Sequence, residues 1–219
     1  MAAREIQIEV GGGQVSAAVF GEGPTLVALG HGAGGTRRTP SLVRVAEGLA
    51  ASRRTLLLFN FPYSEAGRRV PDRPALLEAT IAAVARTARE GLGAERLVLG
   101  GRSMGGRIAS QAVAQGVAAD ALVFLAYPLH PPGKPDQLRD AHLPKIESPM
   151  LFVQGTRDAF ARLDLLEKTL ASLGSRATLE RIEDGDHSFG VPRRVGRGAA
   201  EVEAWVVETI ADWLKSKDL

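Results

Sequence analysis

Along this chain, short runs of nearly uninterrupted apolar residues alternate with longer stretches in which apolar positions recur every three or four residues. The short runs predict strands at residues 6–10, 15–20, 25–29, 55–59, 96–100, 121–126, 150–154 and 178–182. The longer stretches predict helices at 41–51, 73–92, 104–115, 160–173 and 198–215. In the last of these, Val202, Trp205, Val206, Ile210, Trp213 and Leu214 form one apolar stripe, which assigns both tryptophans to the core rather than to a binding platform. After a first hairpin, strand and helix alternate. That pattern predicts an α/β architecture: a mostly parallel sheet of about eight strands with helices on both faces. Residues 1–10 carry Arg4, Glu5 and Glu9 and read as an edge strand, not as an export signal.

One connection departs from the alternation. Residues 128–149 contain six prolines, and proline removes amide donors and blocks helix interiors. At most one short helix, near 136–142, fits there, so no helical cap is expected over the sheet edge.

Composition narrows the class without naming a function. The 219 residues are 45% hydrophobic and 24% charged, ordinary for a globular chain, and nothing marks a boundary between two cores, so a single domain over 1–219 is expected. No apolar run approaches the ~20 residues of a membrane helix. Cysteine is absent, which excludes disulfides and thiolate metal sites but does not fix the compartment; with residues 1–10 read as a strand and not as an export signal, cytoplasm is the expected location. The arginine pairs 37–38, 53–54, 68–69 and 193–194 are scattered over different loops, which argues against a nucleic-acid stripe and for solvated surface charge. Pairs 37–38 and 193–194 follow loops at the expected active edge, which leaves open a rim that attracts anions.

The chemistry lies in the loops after the strands. Gly101-x-Ser103-x-Gly105 sits between a predicted strand and a predicted helix, the setting in which a strained turn lifts a serine hydroxyl above a sheet. The motif alone arises by chance in a glycine-rich chain, so context decides. Asp158 follows the strand 150–154 and His187 follows the strand 178–182, and loops after parallel strands gather at one edge. The order is nucleophile Ser103, acid Asp158, base His187. Of the competing residues, His130 and His142 precede the acid, His31 belongs to a glycine-rich loop, and Asp184 and Asp186 are close enough to His187 to shape its turn instead. That glycine-rich loop, 30–35, offers backbone amides to a developing negative charge, with the Met104 amide as a second donor. Phe61, Tyr63, Tyr127, Leu129, Phe160 and Phe189 lie beside the expected edge and are candidates to line an acyl pocket, with simple packing as the alternative for each. Neither paired-histidine zinc spacing nor a phosphate-loop lysine is present, so neither metal nor cofactor is expected.

With these motifs in hand, the chain resembles the α/β-hydrolase superfamily in its small, capless, dienelactone-hydrolase-like form. More narrowly, His-Gly-Ala-Gly-Gly from His31, Gly-Arg-Ser-Met-Gly-Gly around Ser103, Tyr-Pro-Leu-His-Pro-Pro-Gly-Lys from Tyr127 and Gly-Asp-His-Ser-Phe around His187 resemble the hydrolase-like group that includes testis-expressed and NSL-complex relatives. The resemblance implies that the residue after His-Gly, here Ala33, supplies an oxyanion amide. Dienelactone hydrolases use a cysteine nucleophile, so that activity is not implied for a chain without cysteine. The expectation is a serine carboxylesterase acting on small-molecule esters of short acyl chains, with no nucleic-acid or membrane partner. A non-catalytic scaffold and a thioesterase are the alternatives.

Overall fold

The computed structural model describes residues 3–219. Its elements, in chain order, are β1 (Arg4–Val10), β2 (Gly13–Phe20), β3 (Thr25–Gly30), α1 (Pro40–Ala50), β4 (Thr55–Phe59), α2 (Pro62–Glu65), α3 (Pro74–Arg86), β5 (Arg96–Arg102), α4 (Met104–Ala114), β6 (Ala121–Leu125), β7 (Met150–Gly155), α5 (Leu163–Leu173), β8 (Ala177–Ile182) and α6 (Ala199–Ser216). The strands form one eight-stranded sheet in the order β1-β2-β4-β3-β5-β6-β7-β8. The pairings of β2 with β1 and β4 are antiparallel, and all later pairings are parallel.

Side-chain alternation along the strands sorts the core into two layers. On one face, Leu97, Leu99, Leu122, Phe124 and Phe152 pack under α3, α4 and α5. On the other, Val98, Val123, Leu125, Leu151 and Val153 pack under α1 and α6, with Val202, Val206, Ile210 and Trp213 from the C-terminal stripe. Trp213 is core as expected. Trp205 is only half-buried, with the Arg197 guanidinium 5.8 Å from its ring centroid. The central strands β3 to β7 are buried almost throughout, which explains their continuous apolar runs. Edge strand β1 exposes Arg4, Glu5 and Glu9, charges that discourage pairing with another chain.

Several boundaries move for physical reasons. The helix expected over 73–92 is α-helical only through Arg86 and closes with a π turn at Thr87–Gly91, where the Leu92 amide donates to the Thr87 carbonyl at 3.0 Å. The short helix expected at 136–142 does not form. The Arg139 amide instead donates back to the Leu129 carbonyl at 2.7 Å, which no helical register allows, and the one helical turn nearby is the 3₁₀ turn Leu143–Lys145. Helix α5 begins at Leu163, not 160; the residues before it are an irregular turn in which the Phe160 amide donates to the Asp158 carboxylate at 2.7 Å and the Arg162 amide to His130 Nε2 at 2.9 Å. No helix among the described residues is long and apolar enough to cross a membrane.

Candidate active site

Strand β5 turns into helix α4 through Ser103, whose φ of 49° and ψ of −117° lie where side-chain-bearing residues seldom sit. Such strain costs of order 1–3 kcal/mol and persists only if the surroundings enforce it. They do so through close backbone contact. A Cβ placed on Gly101 or on Gly105 would lie 2.2 Å from the Gly30 carbonyl oxygen, so the end of β3, the turn and the start of α4 fit only without side chains there. The Ser103 amide is held by the Leu125 carbonyl at 2.9 Å.

The residues expected to act together are brought together. The Ser103 hydroxyl donates to His187 Nε2 at 2.9 Å, and His187 Nδ1 donates to Asp158 Oδ2 at 2.7 Å. Asp158 follows β7 and its side chain is fully buried. It accepts two further hydrogen bonds, from Gln154 Nε2 at 2.6 Å and from the Phe160 amide at 2.7 Å. The Phe160 ring stacks on the His187 imidazole with centroids 4.2 Å apart. Below the histidine, Arg102 Nη2 donates to the His187 carbonyl at 2.7 Å, and its guanidinium lies over the Phe189 ring. Gln154 and Arg102 were not singled out from the sequence. Both sit in strands whose pattern reads only as apolar, and nothing local signals their partners.

The other histidines are engaged elsewhere. His130 Nδ1 donates to the Pro131 carbonyl at 2.8 Å, and its Nε2 accepts the Arg162 amide at 2.9 Å. His142 forms a second serine–histidine pair with Ser110, at 2.7 Å, beneath the connection that follows β6. The Ser110 hydroxyl also donates to the Arg107 carbonyl at 2.7 Å, so this pair acts as a pin between α4 and the connection. Burial pushes the His142 pKa down to about 4, and the imidazole is neutral. Asp184 pairs with Arg194 at 2.8 Å, and Asp186 Oδ1 accepts the Ser188 and Gly190 amides at 2.7 and 2.9 Å, so both shape the His187 turn.

The loop after β3 is locked by its own carbonyl. Gly32 O accepts hydrogen bonds from His31 Nδ1 at 2.9 Å, the Gly35 amide at 3.0 Å and the Tyr63 hydroxyl at 3.3 Å. Because carbonyl and amide of one peptide unit point in opposite directions, this fixes the Ala33 N–H facing away from those donors. His31 is buried, accepts the Phe61 amide at 3.2 Å on Nε2, and is held below its ordinary pKa by desolvation. The Ala33 and Met104 amides have no protein acceptor among the described residues, and both residues line a cavity of about 280 Å³ with Ser103.

The walls of that cavity correct the expected pocket. It is lined by Ser103 and by Met104, Arg107 and Ile108 of α4, by Pro71 and Asp72 before α3 and Pro74 and Leu77 within it, and by Pro128, Arg139 and Phe160. Of the six candidate lining residues only Phe160 is there. Phe61, Tyr63, Tyr127 and Leu129 are fully buried in the core, where Phe61 and Tyr63 pack on His31, and Tyr127 on Phe124 and Phe152. Phe189 packs below His187 against Arg102. One member of each arginine pair is engaged: Arg37 with Glu5 at 2.8 Å, Arg54 with the Leu219 carbonyl at 2.7 Å, Arg68 with Asp72 at 2.6 Å and Arg194 with Asp184 at 2.8 Å. The cavity's own cations are Arg107 and Arg139. Among the described residues, no group of three or more histidine or acidic side chains converges as metal ligands.

Known proteins share this architecture. A serine hydrolase without lid from Xanthomonas campestris matches with a TM-score of 0.76 at 20% identity, covering 97% of this chain and 95% of that one. A dienelactone hydrolase from Anabaena variabilis matches at 0.78 and 20% identity over 98% and 97% of the two chains. An α/β serine hydrolase homologue from Coxiella burnetii matches at 0.78 and 19% identity over 98% of each. The sequence profile described as Alpha/beta hydrolase domain matches residues 23–215, from the approach to β3 through nearly the whole of α6. This chain therefore belongs to the alpha/beta hydrolase domain family.

Proposed function

We propose that the protein is a serine hydrolase of carboxylic esters in which Ser103 is the nucleophile, His187 the base and Asp158 its orienting carboxylate. The observation that carries this reading is the unbroken hydrogen-bonded line from Ser103 through His187 to buried Asp158, opening on a cavity with two unpartnered amides. The Ser103 hydroxyl attacks the ester carbonyl as its proton passes to His187 Nε2, and the Ala33 and Met104 amides stabilise the tetrahedral oxyanion. His187 returns the proton to the departing alkoxide, leaving an acyl-enzyme on Ser103. Water, deprotonated by the same imidazole, then releases the acid and restores the serine. Asp158, held by Gln154 and the Phe160 amide, keeps Nδ1 protonated and Nε2 free to accept.

A fluorophosphonate probe tests the reading, because only an activated serine reacts. Labelling of the wild type that disappears in Ser103→Ala is the expected result; absence of labelling in the wild type overturns it. The finer preference for short acyl chains follows from the absent cap, and thioesters of matched length separate an esterase from a thioesterase. The finer likeness to the NSL-complex group rests on motifs alone, and a non-catalytic scaffold would leave the probe unreacted.

A further inference from the structure

Ester hydrolysis by the triad makes no use of two cations that line the same cavity. Arg107 stands one helical turn beyond Ser103 in α4, and Arg139 lies on the connection after β6. The other arginines outside ion pairs are either exposed, as Arg38 and Arg69 are, or give their guanidinium to backbone carbonyls, as Arg54 does to Leu219 at 2.7 Å and Arg102 to His187 at 2.7 Å. Arg107 and Arg139 are in no ion pair among the described residues. The Arg107 guanidinium makes one side-chain hydrogen bond, from Nη1 to Gln111 Oε1 at 3.1 Å, and its Nε is buried without a partner. Burial foremost, and then the neighbouring Arg139 charge, hold Arg107 below the ordinary arginine pKa. Glu78 attracts Arg107 without forming an ion pair, and the Asp140 carboxylate accepts the Thr169 hydroxyl at 2.9 Å. Asp72, on the wall beside α3, pairs with Arg68 through Oδ1 at 2.6 Å, and its Oδ2 is buried without a partner. Two partly desolvated guanidinium groups side by side are costly unless an anion completes them, and their planar forks suit a carboxylate.

We propose that the cavity receives a carboxylic ester that bears a second, anionic group, which Arg107 and Arg139 bind while the ester carbonyl lies at Ser103. The inference rests on Ser103 being the nucleophile, and it adds the substrate class. The anion belongs either to the acyl half, as in a half-ester of a short dicarboxylic acid, or to the alcohol half. A cavity of about 280 Å³ suits a short substrate of either kind.

Matched ester pairs decide it. On the acyl side, p-nitrophenyl hemiglutarate is compared with p-nitrophenyl valerate; on the alcohol side, 4-carboxyphenyl acetate is compared with phenyl acetate. The expected result is a kcat/KM ratio of anionic to neutral ester of about tenfold or more in one pair, the scale of one charge-assisted contact. That ratio should collapse toward one in Arg107→Gln and in Arg139→Gln, and stay within about twofold in Arg193→Gln, an exposed control. Two variants from different elements guard against misfolding of either. Binding is read separately, by calorimetric titration of Ser103→Ala with monoethyl glutarate and with 4-carboxyphenyl acetate. Ester turnover with no anionic preference, or an equal loss in Arg193→Gln, overturns the anion site and leaves ester hydrolysis standing. Arginine-dependent binding of either ligand without turnover of any ester leaves the anion site standing and overturns the hydrolase. Neither binding nor turnover overturns both.

Discussion

Ser103 combines two properties that substitutions can separate: a reactive hydroxyl and a backbone conformation suited to glycine. Ser103→Ala and Ser103→Gly should both lose ester turnover and covalent labelling. Ser103→Gly should unfold at higher temperature than Ser103→Ala, with a difference of about 1 kcal/mol, since glycine adopts positive φ without strain. Thermal denaturation of both variants checks this, and equal midpoints would contradict the strained turn. His187→Ala should lower kcat by several orders of magnitude, whereas His130→Ala should lower it little, because His130 Nε2 is occupied by the Arg162 amide. Steady-state kinetics on the two variants distinguishes them. The convergence of Ser103, Asp158 and His187 was legible in the sequence because each follows a strand and loops after parallel strands gather at one edge. Gln154, Arg102, Arg107 and Arg139 were not, because their positions beside the site arise from packing between distant segments: Arg107 and Arg139 are separated by 32 positions and line one cavity only through the fold.

At the scale of elements, the connection after β6 is held to α4 by buried polar contacts in place of a helix. His142 meets Ser110 of α4 at 2.7 Å, and within the connection itself the Tyr127 hydroxyl donates to the Arg139 carbonyl at 2.9 Å. The folded-state pKa of His142, about 4, lies below its ordinary 6.5, so the unfolded chain binds more protons between these values. Stability is therefore full above about pH 6.5 and declines as pH falls toward about 4, and His31, also lowered by burial, adds in the same direction. Denaturant titrations across that range should show this slope, and His142→Gln should flatten it. A rising stability on acidification would contradict the buried neutral imidazole. Gly105→Ala should destabilise by about 3 kcal/mol in chemical denaturation, since the added methyl meets backbone, not a movable side chain. Apolar periodicity revealed these elements, but not which aromatics face inward. Phe61 and Tyr63 follow β4 directly, and position alone does not distinguish lining a pocket from packing on His31.

For the molecule as a whole, the sheet order carries every proposed reacting group to the C-terminal ends of its parallel strands, and among the described residues no cap domain covers that edge. A lid would bury long acyl chains at ~0.8 kcal/mol per methylene, and an uncovered cavity forgoes that gain. Among uncharged p-nitrophenyl esters, kcat/KM should peak between roughly two and six acyl carbons, measured below each ester's micelle threshold. A steady rise through ten to twelve carbons would reveal a long groove that the cavity walls do not provide. The uncovered edge also marks a place for engineering. Residues 132–134 and 136–138 are exposed, while the base of their loop is clasped by Arg139 to Leu129 at 2.7 Å and by His130 to Phe160 at 2.9 Å. With both ends already anchored, extra chain inserted at Gly133 adds little closure entropy, about 0.6 kcal/mol for each doubling of loop length. A helical hairpin grafted there would convert this open scaffold into a host for selecting longer, greasier substrates without rebuilding the chemistry beneath.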